Sequence, residues 1–155
     1  MKPAVLLLLT HALATCFMVG LIWFVQVVHY PLFSSAGAMN PADYRAYHDR
    51  HTRLTTLVVG PAMLVEALAA AALVLQKPSP LRLTALALLL GCWLSTALVS
   101  VPLHQKLITG YDPATAHQLV HTNWPRTILW TARGLIALAL IPFALPAALS
   151  SAPPA

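Results

Sequence analysis

The spacing of charge along the chain limits its fold more than any other feature. No Asp, Glu, Lys or Arg occurs between residues 3 and 42, and three later stretches are nearly as free of charge. Four segments result, about 5–30, 55–75, 81–103 and 124–149. Each approaches or exceeds the roughly 20 apolar residues that carry an α-helix across a bilayer core. Backbone in hydrocarbon must hydrogen-bond within its own element. The expected fold is therefore all-α, a four-helix transmembrane bundle running up-down-up-down, with an interfacial helix before the second span. Residues 1–149 form one integral membrane domain, and 150–155 are a disordered tail. The chain is 59% hydrophobic and 8% charged, against about a quarter charged in a soluble domain. A soluble enzyme domain, a disulfide scaffold and a nucleic-acid module are all excluded, and the lipid bilayer of the inner membrane is the expected partner.

Local signals divide the spans. Lys2 and the apolar run after it resemble a signal peptide, but the run continues to Val28, too long for a signal core, so a retained first helix is expected. Pro31 and Pro41 bracket a polar loop, with Asn40 as N-cap and Pro41 as first helical residue. Gly60-Pro61 predicts a kink in the second span, and Gln76 to Pro80 a tight turn. The third connection, His104 to about Thr122, is expected to be polar, with a turn at Gly110 to Pro113 and a helical turn or two over Ala114–His121. Lys2, Lys77 and Arg82 flank one face, and Arg45, Arg50, Arg53, Lys106 and Arg126 the other. The positive-inside rule then places loops one and three in the cytoplasm. Cys16 and Cys92 sit in apolar stretches, without metal or haem-attachment spacing.

Seven histidines stand beside only four acids. His29 closes the first span, His48 and His51 precede the second, His104 closes the third, and His117 and His121 precede the fourth. Six thus collect at one membrane face, with His11 alone near the other. Histidine is the commonest transition-metal ligand. His29, His48, His51 and His104 are the candidate metal ligands, for iron or copper, if a metal is used at all. Polar stripes Trp23-Gln26-His29 and Thr96-Ser100-His104 point to a polar cavity opening at this face. The competing explanation is interfacial anchoring, with Tyr30, Tyr44, Tyr47 and Trp124 as an aromatic belt.

Glu66 and Arg133 lie deep in predicted spans, where a lone charge costs at least about 2.5–3.5 kcal/mol. Counting residues from the span ends puts them at similar depths, so an ion pair between the second and fourth spans is expected. Either it registers the helices, or Glu66 moves protons or binds metal with Arg133 tuning it. Arg126, Trp130 and Arg133 recur on one face of the fourth span. With Asn123 they form a candidate catalytic set able to hold an anionic or enolic substrate oxygen, and Gln26 and Trp130 are the candidate cofactor-binding residues.

Pro102-Leu103-His104 with Leu107, then Asn123-Trp124 and Arg126, resembles the anthrone-oxygenase-like family of small four-helix membrane proteins. His29-Tyr30-Pro31 and the Tyr47-His48, His51 and Arg53 signature resemble a group of uncharacterised bacterial four-helix proteins. Asparagine is usual in the family where His104 stands. The resemblance implies oxygenation of a polycyclic, ketone-like compound, with or without a metal. Three functions remain open from the sequence. One is a membrane oxidoreductase or oxygenase acting on a lipophilic small molecule. The others are an accessory or cofactor-binding subunit docked on a membrane partner, and a small transporter using Glu66, as a homo-oligomer.

Overall fold

The computed structural model describes residues 3–142, so the expected tail and the end of the fourth span lie outside the described residues. Every described element is helical. Helix α1 spans Pro3–Phe24 and runs on into a π-helical turn, Val25–His29. A four-residue helix α2, Phe33–Ala36, fills the first connection. Helix α3, Pro41–Gln76, is continuous through Gly60-Pro61. Helix α4, Pro80–Ser95, passes through a second π-helical turn, Thr96–Ser100, into α5, Val101–Thr109. Helix α6 covers Pro113–Leu140.

Two boundaries differ from the sequence expectation. The interfacial helix and the second span are one rod of 36 residues, because nothing between Arg53 and Thr55 breaks a helix started at Asn40. The Asn40 side chain accepts from the backbone N–H groups of Ala42 and Asp43, which satisfies two orphan donors. The expected helical turns of the third connection are continuous with the fourth span. Asp112 accepts from the Thr115 N–H at 2.8 Å with Pro113 at the first helical position, so α6 starts about ten residues early.

Three rods are long and apolar enough to cross a membrane: Pro3–His29, Pro41–Gln76 and Pro80–Thr109. The fourth, α6, is of spanning length but carries Asn123, Arg126, Thr127 and Arg133 on its buried face. From Trp124 onward its outward side is apolar, with Ile128, Leu135 and Leu138 exposed. Averaged hydropathy therefore understates how apolar its surface is. The whole surface repeats this inversion, from Leu13 on α1 to Leu68 on α3 and Leu98 in the second π turn. Soluble monomers rarely expose contiguous apolar area on this scale.

α1 packs against α3 and α6, and α4 against the same two. Leu8, Leu73 and Leu140 form one apolar layer, while Met18, Ile22, Met63, Cys92 and Trp130 form the next. Tyr30, Phe33, Leu103, Leu107 and Leu119 form a third at the loop-one end. At the α1–α6 crossing a Cβ on Gly134 would lie 2.9 Å from the Val19 side chain, so this approach requires glycine.

Candidate functional site

The deepest charges behave as depth counting predicts. Arg133 Nη2 and Nε donate to Glu66 Oε1 at 2.8 and 3.2 Å, and both side chains are fully buried. The Trp130 indole N–H donates to Glu66 Oε2 at 3.1 Å, and Arg133 Nη1 donates to the Ala85 carbonyl. Both Glu66 oxygens are thus occupied by donors from α6. This arrangement locks α3, α4 and α6 together and suits a structural pair.

Two turns nearer the loop-one end lies the second arginine of α6. Arg126 is 6% exposed. Its Nη2 donates to Tyr30 Oη at 3.2 Å and to the Asn123 side-chain carbonyl, and its Nη1 donates to Thr96 Oγ1 at 3.3 Å. Asn123 Nδ2 donates to Gln26 Oε1 at 2.9 Å, and Gln26 Nε2 donates to the Val120 carbonyl at 3.2 Å. Gln26 and Asn123 therefore hold the α1–α6 contact and position Arg126.

The four candidate histidines converge, contributed by α1, α3 and α5. His48 Nε2 lies 3.1 Å from His104 Nδ1, and His29 Nε2 lies 3.0 Å from His51 Nδ1. His104 Nε2 reaches Tyr30 Oη at 3.0 Å, and His48 Nδ1 faces Tyr44 Oη at 3.4 Å. Each short nitrogen–nitrogen contact takes one N–H and one lone pair. The result is a hydrogen-bonded run from Tyr44 through His48, His104 and Tyr30 to Arg126. A second run joins His29 to His51, whose Nδ1 also lies 3.1 Å from Thr55 Oγ1.

This geometry does not support the metal-centre expectation. The described residues contain no group of three His, Cys, Asp or Glu side chains placed to hold a metal ion. Phe33 packs against all four histidines. Its ring is fully buried, with its centroid 5.0 Å from that of His48, 5.1 Å from those of His29 and His51, and 6.1 Å from that of His104. The aromatic-belt expectation is corrected for two members. Tyr30 and Tyr44 are buried, their hydroxyls turned to imidazoles, while Trp124 is exposed. His117 and His121 are exposed and face each other across one helical turn, outside the cluster.

Beside the cluster a cavity of about 310 Å³ enters the interior. Met18, Leu21, Ile22, Val25, Val59 and Met63 supply its apolar wall, with Trp130. Tyr30, His51, Thr55, Thr96, Ser100, His104 and Arg126 supply its polar end. Both π-helical turns contribute lining residues, Val25 from one and Thr96 and Ser100 from the other. A π turn inserts a residue into the helix and re-aims the side chains beyond it, and such turns recur at functional sites. On α1 the turn lets Gln26 face α6 while His29 faces α3. Sequence reasoning found His51, His104, Arg126 and, through its polar stripe, Ser100, but missed Tyr30 and Phe33 as site residues. The Thr96-Ser100-His104 stripe was the available signal for Ser100. Phe33 had none, because a single phenylalanine in a loop reads as anchoring. No family model, curated protein or solved structure matches this chain.

Proposed function

We propose that the chain is a four-span inner-membrane protein whose cavity takes a lipophilic small molecule bearing a carbonyl-type oxygen. It would catalyse proton removal next to that carbonyl, the step preceding oxygenation in the chemistry the anthrone-oxygenase resemblance implies. Three observations support the four spans: the spanning length of α6, its apolar outer side, and its polar residues turned inward. Positive-inside counting puts the histidine face in the cytoplasm.

The observation that carries the functional claim is a single cavity with an apolar wall and a polar end of paired imidazoles, hydroxyls and a guanidinium. His51 is suited to be the base. It lines the cavity, and its Nδ1 is held by His29 at 3.0 Å, a base-and-orienter arrangement. With Nδ1–H donated to His29, the Nε2 lone pair is left to take a proton from the α-carbon. The electron pair moves to the carbonyl oxygen, and Arg126 and Tyr30 stand at the polar end to stabilise the enolate. Glu66 is reserved for structure, since both its oxygens already accept hydrogen bonds from α6.

The test is deuterium exchange at the α-carbon of 2-decanone, monitored by NMR with the protein in lipid nanodiscs in D2O. The protein should accelerate exchange over empty nanodiscs. His51→Gln should lose about 10²–10⁴-fold of that acceleration and still bind the ketone. Exchange equal to empty nanodiscs, or unaffected by His51→Gln, overturns the proposal.

A further inference from the structure

The two buried arginines of α6 are neutralised differently, and the difference bears on what enters the cavity. Arg133 has the Glu66 carboxylate at 2.8 Å. Arg126, only 6% exposed, is surrounded by the neutral partners Tyr30, Asn123 and Thr96. The sequence offers no acid to remedy this, because it holds four Asp and Glu residues in all. Glu66 serves Arg133. Asp49 pairs with Arg53, Asp43 accepts from Asn40, and Asp112 caps α6. A buried cation without a counter-charge is expensive in a low-dielectric interior, and paired charges are the rule there.

Two residues that line the cavity also carry donors without a partner. Arg126 Nε–H and the Ser100 hydroxyl are buried and have no hydrogen-bond partner among the described residues. Both residues line the polar end of the cavity. Buried polar groups in folded proteins nearly always find a partner. A guanidinium N–H and a hydroxyl lining one cavity supply two donors suited to an oxyanion.

We infer that the natural occupant of the cavity is an amphiphilic monoanion: a carboxylate, enolate or phenolate whose oxygen lies against Arg126 Nε and Ser100 Oγ, with its apolar body between Met18, Ile22 and Met63. The inference rests on the proposal that the cavity takes a lipophilic small molecule, and it adds the charge of the head group. A neutral ketone would then be the weaker ligand, bound well only as its enolate.

The test compares decanoate with 1-decanol by calorimetry on the whole protein in phosphatidylcholine nanodiscs. Decanoate should bind at least tenfold more tightly. Arg126→Gln should remove that preference while 1-decanol still binds, and Arg126→Lys should keep most of it. Ser100→Ala should lower decanoate affinity several-fold. Because wild-type protein alone reports the preference, a variant that fails to fold does not spoil the test. Equal affinity for the two probes overturns the inference and leaves the cavity proposal intact. Binding of neither overturns both. Nanodiscs containing phosphatidylglycerol separate the two sources of an anion. Loss of decanoate binding there supports the same anion site filled by a lipid head group, and unchanged binding supports a free amphiphile.

Discussion

Single side chains decide how this protein tolerates polarity inside an apolar shell. Removing one partner of the Glu66–Arg133 pair strands a charge among Trp130, Ala85 and helix backbone. Arg133→Leu should therefore destabilise by about 3–5 kcal/mol, while the double change Glu66→Leu with Arg133→Leu should cost clearly less. Thermal unfolding of the three proteins in one detergent checks this, and a double variant worse than the single would contradict it. Phe33→Ala should also cost about 3–5 kcal/mol, because a fully buried ring packed against four imidazoles leaves a void when removed. The Glu66–Arg133 contact could be read from sequence because charge in a span has few affordable arrangements and depth can be counted in residues. The Tyr30 and Thr96 contacts of Arg126 could not, because a single hydroxyl on another helix says nothing in sequence about which side chain it meets.

At the scale of elements, caps and π turns shape the site more than propensity does. Asp112 accepts hydrogen bonds from the Thr115 hydroxyl and N–H, which hold its carboxyl below the usual carboxylate range. A carboxylate with a lowered folded-state pKa stabilises fully above its unfolded value near about 4, and loses that contribution as pH falls through the folded value. Asp112→Ala should be less stable than wild type near neutrality. The gap should narrow on acidification below about pH 4, read as melting temperature against pH. A gap that widens on acidification would contradict the cap's role. The Asn40-Pro41 start was legible because an N-cap and a proline at the first helical position are local signals. Helical turns over Ala114–His121 were expected, but their continuity with the fourth span was masked by Pro125, which reads as a helix start and lies inside α6. The π turns were invisible, since Val25–His29 and Thr96–Ser100 have ordinary helical composition.

Taken whole, the molecule is turned inside out relative to a soluble protein. Leu13, Leu68 and Leu98 are among the leucines outside, while His48, Tyr30, Tyr44, Arg126, Arg133 and Glu66 lie within. Its polar interior has two levels. The inner one, Glu66 with Arg133, is closed on itself and holds helices together. The outer one faces a cavity and keeps donors in reserve. The number of rods and the histidine face were legible in the sequence, because both depend on where charge and polarity fall along the chain. A polar cavity at that face was legible from the stripes on the first and third spans, but its apolar wall was not, because it draws on Val25 in a π turn and on Met18, Ile22 and Met63, which read as ordinary core.

The measurement that most directly tests the central claim, a lipophilic-ligand site inside the protein, is photolabelling. An alkyl-diazirine ketone would be activated on the whole protein in lipid nanodiscs and its adducts mapped by mass spectrometry. The account predicts saturable adducts at Met18, Met63 and Trp130 on the cavity wall, lost when excess 2-decanone competes. Adducts confined to the outward-facing Leu13, Leu68 and Leu98, and indifferent to the competitor, would contradict it.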